Sequence, residues 1–269
     1  MKKRIACIFV LMLVMAVAGL ADGIRLKSRD LDLSKNRDRA VTNILALMQE
    51  GDRTQMVVIA SVNTSTGKAV MVSVDPRLMV EIPEISGEVP LSEVYALGDR
   101  KSRGLLVART LNRLLDLNIS TYLAMDMSMI PEIVDEIGGV WITPTEEEDL
   151  ALGLEADTWA LDGAETLAYM RLLLPGEEDR NRSYEVMLQV LRQVAGDDLM
   201  SMMGAGQKLL SAMDTNVKIM SAFSLASSLK SDEHHTDLFL PQAEAIQVAD
   251  PLRADAMMMQ QKLTEVIYE

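Results

Sequence analysis

Two valine-rich segments constrain the fold of this chain more than any other feature of its sequence. The segments MVVIASV (56–62) and KAVMVSV (68–74) flank NTSTG (63–67), a polar loop that contains a glycine. Short apolar runs on either side of such a loop are typical of a β-hairpin. Because both runs are apolar at nearly every position, both faces of their sheet should be covered by helices. The pattern therefore predicts a layered α/β domain.

Helical and extended patterns alternate along the rest of the chain. Apolar residues at helical spacing predict helices over 40–48, 105–117, 129–137, 163–171, 184–194, 199–213, 221–229 and 253–267. Extended patterns predict strands over 120–126, 140–144 and 236–241. The chain has no internal repeat and no linker rich in proline or glycine. We therefore expect the α/β fold class, as a single layered domain with a central mixed sheet and helices on both faces.

The first 21 residues carry the pattern of a signal peptide or a membrane anchor. Three basic residues (2–4) precede an apolar run over 6–21 that ends in small residues. The run is shorter than the roughly 20 residues of a helix that spans a bilayer, which favours a cleaved signal. Either interpretation predicts an extracytoplasmic protein, secreted or anchored to the cell membrane. Residues 22–50 should then form a polar lead-in and a first helix, and residues 51–269 the main domain.

Composition excludes several classes of function. The chain has 40 acidic and 26 basic residues and a net charge of -14, which opposes nucleic-acid binding because that function needs a basic face. Its single cysteine, Cys7, excludes an internal disulfide and a cysteine-based zinc site. The sequence also lacks a Walker-type phosphate loop, a GxSxG elbow and an HExxH motif. We therefore expect no nucleic-acid partner, and no common catalytic motif identifies a reaction.

Four arginines are the most suggestive candidates for a binding site. Arg77 follows a predicted strand in VDPRL, and Arg171 ends the predicted helix LDGAETLAYMR. Arg180 and Arg182 lie in EEDRNR, which opens another predicted helix. Arginines at the ends of strands and helices suit bidentate recognition of phosphate. Salt bridges to the acidic residues 177–179 explain such arginines equally well, so the spacing leaves both interpretations open.

Four segments resemble the LytR-CpsA-Psr family of cell-envelope proteins. They are VSVDPRLMVEIP (72–83), LSEVYALG (91–98), YLAMDMSMIPEIVDEIGGVWITP (122–144) and LDGAETLAYMR (161–171). The third is the most specific, since it combines an aspartate in a strand, a short helix that ends in D-x-I/L-GGV, and a second strand. The order and spacing of the segments also match. The resemblance covers roughly residues 50–245, most of the predicted domain.

The resemblance implies an extracytoplasmic phosphotransferase. Members of this family transfer a glycopolymer, such as teichoic acid or capsule, from a polyprenyl pyrophosphate carrier to peptidoglycan and form a phosphodiester. An apolar pocket between sheet and helices is implied for the lipid, arginines for the pyrophosphate, and an aspartate for a divalent cation, usually Mg²⁺. The implied partners are therefore a polyprenyl-pyrophosphate-linked glycan, peptidoglycan and the membrane surface.

The chain departs from the family pattern at its charged positions. Gln55 stands where the family has its metal-binding aspartate, which argues against the implied Mg²⁺. The family's S-I-P-R-D reads S-V-D-P-R (73–77) here, so Asp75 and Arg77 keep the residue types in shifted positions. A one-residue bulge would restore them. Leu173 stands where a second arginine commonly follows the counterpart of Arg171.

Roles follow from the resemblance for five residues. Arg77 is the candidate for catalysis and for phosphate binding. The further candidates for phosphate binding are Arg171, Arg180 and Arg182. Asp75 is the candidate metal ligand. Because the scaffold motifs match better than the site motifs, two functions remain open. One is a working phosphotransferase, and the alternative is a degenerate member that binds polyprenyl phosphate or a glycopolymer without chemistry. A secreted partner-binding module that keeps only the scaffold is a third possibility.

Overall fold

The computed structural model describes residues 41–63, 68–83, 85–100, 102–143, 148, 159–173, 212–216 and 242–245. The chain divides into two compact units. The described residues before Asp126, together with those from Met213 onward, form the larger unit, and those from 126 to 212 form the smaller one. The predicted signal or anchor over 1–21 lies outside the described residues. No helix in the described part of the chain is long and apolar enough to cross a bilayer.

Strands and helices follow one another in both units. The first part of the larger unit contains β1 (Val41–Glu50), β2 (Arg53–Asn63), β3 (Lys68–Val74), β4 (Met79–Glu81), β5 (Glu88–Pro90), α1 (Leu91–Leu97), α2 (Arg103–Leu115) and β6 (Ile119–Asp126). The last residue of β6 already belongs to the smaller unit. The smaller unit contains a 3₁₀ turn (Met127–Met129), α3 (Ile130–Ile137), β7 (Val140–Ile142), β8 (Trp159–Leu161) and α4 (Gly163–Leu173). The larger unit then adds β9 (Asp214–Thr215) and β10 (Gln242–Ala245).

Within the described residues, a mixed sheet of six strands, in the order β10-β3-β2-β1-β6-β9, forms the centre of the larger unit. The predicted hairpin is confirmed, because β2 and β3 pair antiparallel with Val57 opposite Val74 and Ile59 opposite Val72. Strand β10 pairs parallel with β3, and β9 pairs antiparallel with β6. The prediction of an α/β fold with a central mixed sheet is thus confirmed. Both edge strands come from the part of the chain after Met213.

The predicted helix over 40–48 is wrong, because these residues form strand β1. The strand pairs antiparallel with β2 from Val41 opposite Asn63 to Glu50 opposite Arg53. In the sequence, Gly51 indicates the end of a helix. In the structure it lies in the tight turn between β1 and β2, with a φ of 59°. Ile44, Leu45, Leu47 and Met48 are all buried, so the strand has apolar side chains on both faces. A strand of this kind has no alternation that distinguishes it from a helix.

Both faces of the central sheet are buried along β1, β2 and β6, as the apolar strands predict. On one face, apolar side chains of neighbouring strands lie side by side in rows, and they belong to the same core cluster as residues of α1 and α2. One row consists of Leu45, Ile59 and Val72, and the next consists of Leu47, Val57 and Val74. Successive side chains of a strand point to opposite faces. Ile44, Val58 and Leu123, which alternate with members of that core, are also buried. The sheet is therefore an inner layer of the fold.

Most of the other predicted elements in the described part of the chain are confirmed. Strand β6 and helices α2, α3 and α4 lie at their predicted positions within two residues, and β7 occupies the first part of the strand predicted over 140–144. Strands β9 and β10 were not predicted. The predicted helices over 184–194, 221–229 and 253–267 and the strand over 236–241 lie outside the described residues, as does most of the helix predicted over 199–213.

The smaller unit brings two of the family-like segments together through helices α3 and α4. Helix α3 ends where Gly138, with a φ of 86°, donates its N–H to the carbonyl of Asp135 at 3.1 Å. The carboxylate of Asp135 accepts a hydrogen bond from the N–H of Gly163, the first residue of α4, at 2.7 Å. Asp162 and Glu165 cap α4 reciprocally, since each side chain accepts the other's N–H, at 2.8 and 2.9 Å. Polar contacts therefore fix the start of α4 against α3.

Gly163 is required for this close approach of α3 and α4. A Cβ atom at this position would lie 2.2 Å from the carbonyl oxygen of Pro131. We expect Gly163→Ala to lower the free energy of unfolding by about 2–3 kcal/mol, because the backbone must move apart to accommodate the methyl group. Urea denaturation followed by circular dichroism tests this, with Ala164→Ser at the next, exposed position as the control. An unchanged midpoint for Gly163→Ala would contradict the packing described here.

Candidate functional site

Arg77 lies in a tight turn that follows strand β3. The N–H of Leu78 donates to the carbonyl of Asp75 at 3.1 Å, which closes a four-residue turn. Pro76 occupies the second position, where its restricted φ favours this turn, and aspartate is common at the first. The N–H of Ser92 in α1 donates to the carbonyl of Pro76 at 2.7 Å. The backbone that carries Arg77 is therefore fixed both within the turn and against the next helix.

Asp75 and Arg77 form a bidentate ion pair inside this turn. Nη2 of Arg77 donates to Oδ2 of Asp75 at 2.7 Å, and Nε lies 3.1 and 3.2 Å from Oδ1 and Oδ2. The backbone N–H of Arg77 also donates to Oδ1, at 2.8 Å. The side chain of Asp75 is 16% exposed and that of Arg77 41%. The structure thus brings these two predicted site residues into direct contact.

The contact arises from the turn and not from the bulge that would realign the motif with the family. Strand β3 pairs with β2 without a shift in register as far as Val74, and Asp75 is the next residue. A bulge is present instead in β2. Met48 pairs with Met56 and Gln49 with Thr54, so Gln55 is the extra residue. Bulges redirect a side chain and are common beside functional sites.

The surroundings of Gln55 hold the bulge in place. The hydroxyl of Thr54 lies 3.1 Å from Oε1 and 3.0 Å from Nε2 of Gln49, and both side chains are buried. Gln55 itself is half-buried. Its amide brings a neutral oxygen to the position where the family has an aspartate, and a neutral oxygen is a weaker ligand for Mg²⁺ than a carboxylate.

The described residues do not fit the Mg²⁺ that the resemblance implies. Among them, no group of three or more Asp, Glu, His or Cys side chains is placed to hold a metal ion. Both carboxylate oxygens of Asp75, the candidate ligand, already accept hydrogen bonds from Arg77. A cation would have to displace that guanidinium group. The requirement for Mg²⁺ therefore stays a prediction, and the contacts of Asp75 do not favour it.

The remaining candidate arginines are described only in part. Arg171 lies exposed near the end of α4, in the smaller unit, whereas Arg77 belongs to the larger one. Arg180 and Arg182 lie outside the described residues. Their roles as phosphate ligands therefore stay predictions.

A buried polar cluster in the larger unit was not predicted from the sequence. The hydroxyl of Tyr95 donates to Oδ2 of Asp214 at 2.7 Å, and that of Tyr122 donates to Oδ1 at 2.9 Å. Both tyrosines are buried. Burial, followed by the hydrogen bond to Asp214, raises the pKa of each phenol above its ordinary value. The guanidinium carbon of Arg103 lies 5.7 Å from the centre of the Tyr95 ring, within range of a cation–π interaction.

The residues after Asp214 continue this network along β6. The Thr215 hydroxyl donates to the carbonyl of Tyr122 at 2.6 Å. The Asn216 side chain accepts the N–H of Tyr122 at 3.0 Å and donates to the carbonyl of Ser120 at 2.8 Å. Side-chain hydrogen bonds thus extend the pairing of a two-residue strand. The only sequence signal is an isolated Asp-Thr-Asn triplet, and its partners lie about 90 to 120 residues earlier in the chain.

These features define a mixed α/β domain with a paired aspartate and arginine at the end of a buried strand, where α/β folds commonly place ligand contacts. The model of the LytR_cpsA_psr family matches residues 28–264, and the chain belongs to this family. The resemblance found in the four sequence segments is thereby confirmed.

Two relatives are similar to this chain in sequence. Biofilm regulatory protein A of Streptococcus mutans is 25% identical over 171 residues, with 56% of this chain and 41% of the relative covered. The polyisoprenyl-teichoic acid–peptidoglycan teichoic acid transferase TagU of Enterococcus faecalis is 24% identical over 211 residues, with 68% of this chain and 66% of the relative covered. The chain thus spans less than two thirds of the length of either relative.

Solved structures share the fold at lower sequence identity. Bacillus subtilis TagV has a TM-score of 0.66 and 16% identity, with 86% of this chain and 98% of that chain covered. TagT, also called YwtF, a LytR-CPS2A-psr family protein solved with bound octaprenyl pyrophosphate lipid, has a TM-score of 0.58 and 18% identity, with 85% of this chain and 91% of that chain covered. The likeness establishes the fold of this chain.

The carboxylate of Asp214 should be important for stability. In Asp214→Ala, two buried hydroxyl groups lose their acceptor, so we expect the free energy of unfolding to fall by about 2–4 kcal/mol. Thermal denaturation compared with Asp99→Ala, which removes an exposed carboxylate from the same unit, measures the effect. Equal midpoints for the two variants would show that the cluster contributes little.

The raised pKa of both tyrosines also predicts a dependence of stability on alkaline pH. The folded state keeps Tyr95 and Tyr122 protonated, whereas free tyrosine loses its proton near pH 10. The stabilisation is therefore fully present below about pH 10 and declines as the pH rises further, because ionisation favours the unfolded state. Urea midpoints measured from neutral pH to about pH 11 should decline less steeply for the Tyr95→Phe/Tyr122→Phe double variant than for the wild type. Parallel curves would contradict this prediction.

Proposed function

We propose that this protein is an extracytoplasmic member of its family that binds a polyprenyl-pyrophosphate-linked glycopolymer and transfers the polymer to peptidoglycan. Family membership supports this proposal, as do the transferase activity named for the E. faecalis relative and the octaprenyl pyrophosphate bound to TagT. The observation that carries it in this chain is the position of Arg77. The residue is fixed at the end of a buried strand, in the segment that resembles the family's catalytic arginine segment.

The proposed reaction is a phosphoryl transfer in which Arg77 acts on the pyrophosphate. A sugar hydroxyl of peptidoglycan attacks the phosphorus that carries the glycopolymer, and a new phosphorus–oxygen bond forms. The bond from that phosphorus to the oxygen of the lipid phosphate breaks, so polyprenyl phosphate leaves and overall takes up the hydroxyl proton. Arg77 would donate hydrogen bonds to phosphate oxygens as negative charge develops on the leaving group. Mg²⁺, if bound, would supply further neutralisation of charge.

The extracytoplasmic location rests on the first 21 residues. Their basic start and short apolar run are typical of a signal or an anchor, and both direct the following chain across the membrane. Peptidoglycan and polyprenyl carriers are accessible on that side. The membrane surface is the expected partner in either case, because the carrier's lipid tail remains in the bilayer until it is bound.

A second candidate function is a binding protein that holds the lipid-linked glycan without transferring it. The structural observation in its favour is the contact between Asp75 and Arg77, because it occupies the carboxylate that was the candidate metal ligand. Gln55, at the other expected ligand position, brings no charge. The two functions share their ligand and differ only in turnover.

A transfer assay on the wild type and on Arg77→Ala separates these possibilities. We expect Arg77→Ala to reduce transfer of a labelled glycopolymer from polyprenyl pyrophosphate to peptidoglycan by about 100-fold, because a donor to the developing charge is lost. Arg113→Ala is the matched control, since it removes an exposed arginine whose Nη2 is 3.5 Å from Glu81. Transfer that is unchanged in Arg77→Ala would contradict the proposed catalytic role. Lipid binding without any transfer by the wild type would instead support the binding function.

A further inference from the structure

The shifted order of the charged residues after β3 has a structural consequence. In the sequence D-P-R, the aspartate comes first and accepts the backbone N–H of the residue two positions later, here Arg77. The same carboxylate then receives Nε and Nη2 of the Arg77 side chain. One turn therefore fixes both the backbone and the guanidinium group of the arginine.

We propose that Asp75 positions Arg77 and is not a metal ligand, so that this chain binds polyprenyl pyrophosphate without a divalent cation. The inference rests on the function proposed above and concerns the same site. It assigns Asp75 a role different from that of the candidate metal ligand, and it makes independence from Mg²⁺ a property of the wild-type chain.

The geometry of arginine supports the positioning role. A guanidinium group is planar and offers its donors along distinct edges. Asp75 binds the edge formed by Nε and Nη2, which sets the plane of the group. Arginine can also bind phosphate bidentately through the edge formed by Nη1 and Nη2. An arginine held in this way loses less side-chain entropy when the phosphate binds than an unconstrained one would.

The charges and contacts of Asp75 argue against a metal at this position. Mg²⁺ requires near-octahedral oxygen ligands and is usually held by carboxylates. A cation at Asp75 would have to replace charge-assisted hydrogen bonds from Arg77 to both oxygens. Because the pair is neutral overall, phosphate affinity at this position depends on directed hydrogen bonds more than on net positive charge.

A double-mutant cycle on the full-length chain tests the proposal. Binding of octaprenyl pyrophosphate is measured by calorimetry for the wild type, Asp75→Asn, Arg77→Ala and the double variant, in EDTA and in Mg²⁺. We expect wild-type affinity to be the same in both buffers. Asp75→Asn should weaken binding about tenfold. It should have no further effect once Arg77 is absent, because Asp75 acts through Arg77.

Further variants make the test specific for positioning. Asp75→Glu keeps the charge and should restore part of the affinity, whereas Arg77→Lys keeps the charge but cannot form the bidentate pair and should resemble Arg77→Ala. Arg113→Ala, in an exposed ion pair on α2, should bind like the wild type. Unfolding midpoints of all variants identify any loss of fold. If Asp75→Asn does not fold, Asp75→Glu and Arg77→Lys still test the proposal.

Three outcomes would overturn the inference. The first is a loss of lipid affinity in Asp75→Asn that appears only in the Mg²⁺ buffer. The second is a loss of affinity on adding Asp75→Asn to Arg77→Ala that is as large as the loss in the wild type. The third is binding of Mn²⁺ to the lipid-free wild type, measured by electron paramagnetic resonance, if this binding is lost in Asp75→Asn. A wild-type chain that binds no octaprenyl pyrophosphate would overturn the proposed function and this inference with it. Binding that requires Mg²⁺ would overturn the inference alone.

Discussion

Burial of the central sheet on both faces is the constraint on which the larger unit depends. Strands β1 and β2 carry buried apolar side chains on both faces, and strands of this kind are stable as an inner layer. Helices α1 and α2 contribute to the core on one face. Val74 is fully buried and Asp75, the next residue, is partly exposed, so the chain leaves the core at this point. The position of the charged turn therefore follows from where the buried strand ends.

The charged turn of Asp75 and Arg77 belongs to a chain that is strongly acidic overall. A net charge of -14 repels phosphates at long range, and an arginine in such a chain acquires acidic partners easily. Arg77 has such a partner two residues away, in a geometry that orients the guanidinium group. The exposed pairs Arg53–Glu93 and Arg113–Glu81 link separate elements, and pairs of this kind contribute little to stability. The Asp75–Arg77 pair differs because the backbone of one turn holds both partners.

The sequence predicts the fold better than it predicts the site. Patterns of apolar residues identify the hairpin of β2 and β3, helix α2 and strand β6, because burial determines these elements directly. The same patterns fail for β1, where apolar residues on both faces of a strand resemble a helix. Strand β9 was missed since Asp214 is held by tyrosines far away in the chain, and no local pattern reports such contacts. For the site, the sequence indicates the candidate residues Asp75 and Arg77 but neither the turn that holds them nor their contact.

The order of the strands along the chain also has a consequence during biosynthesis. Strands β1, β2, β3 and β6 are complete once about half of the chain has been made, whereas β9 and β10, which cover the two outer edges, belong to residues 213–269. Until those residues emerge from the ribosome, β3 and β6 lack the strands that pair with their outer sides in the described sheet. Exposed strand edges are templates for pairing with other chains. A chaperone that keeps this nascent chain unfolded would therefore protect it from association until its last fifth is available.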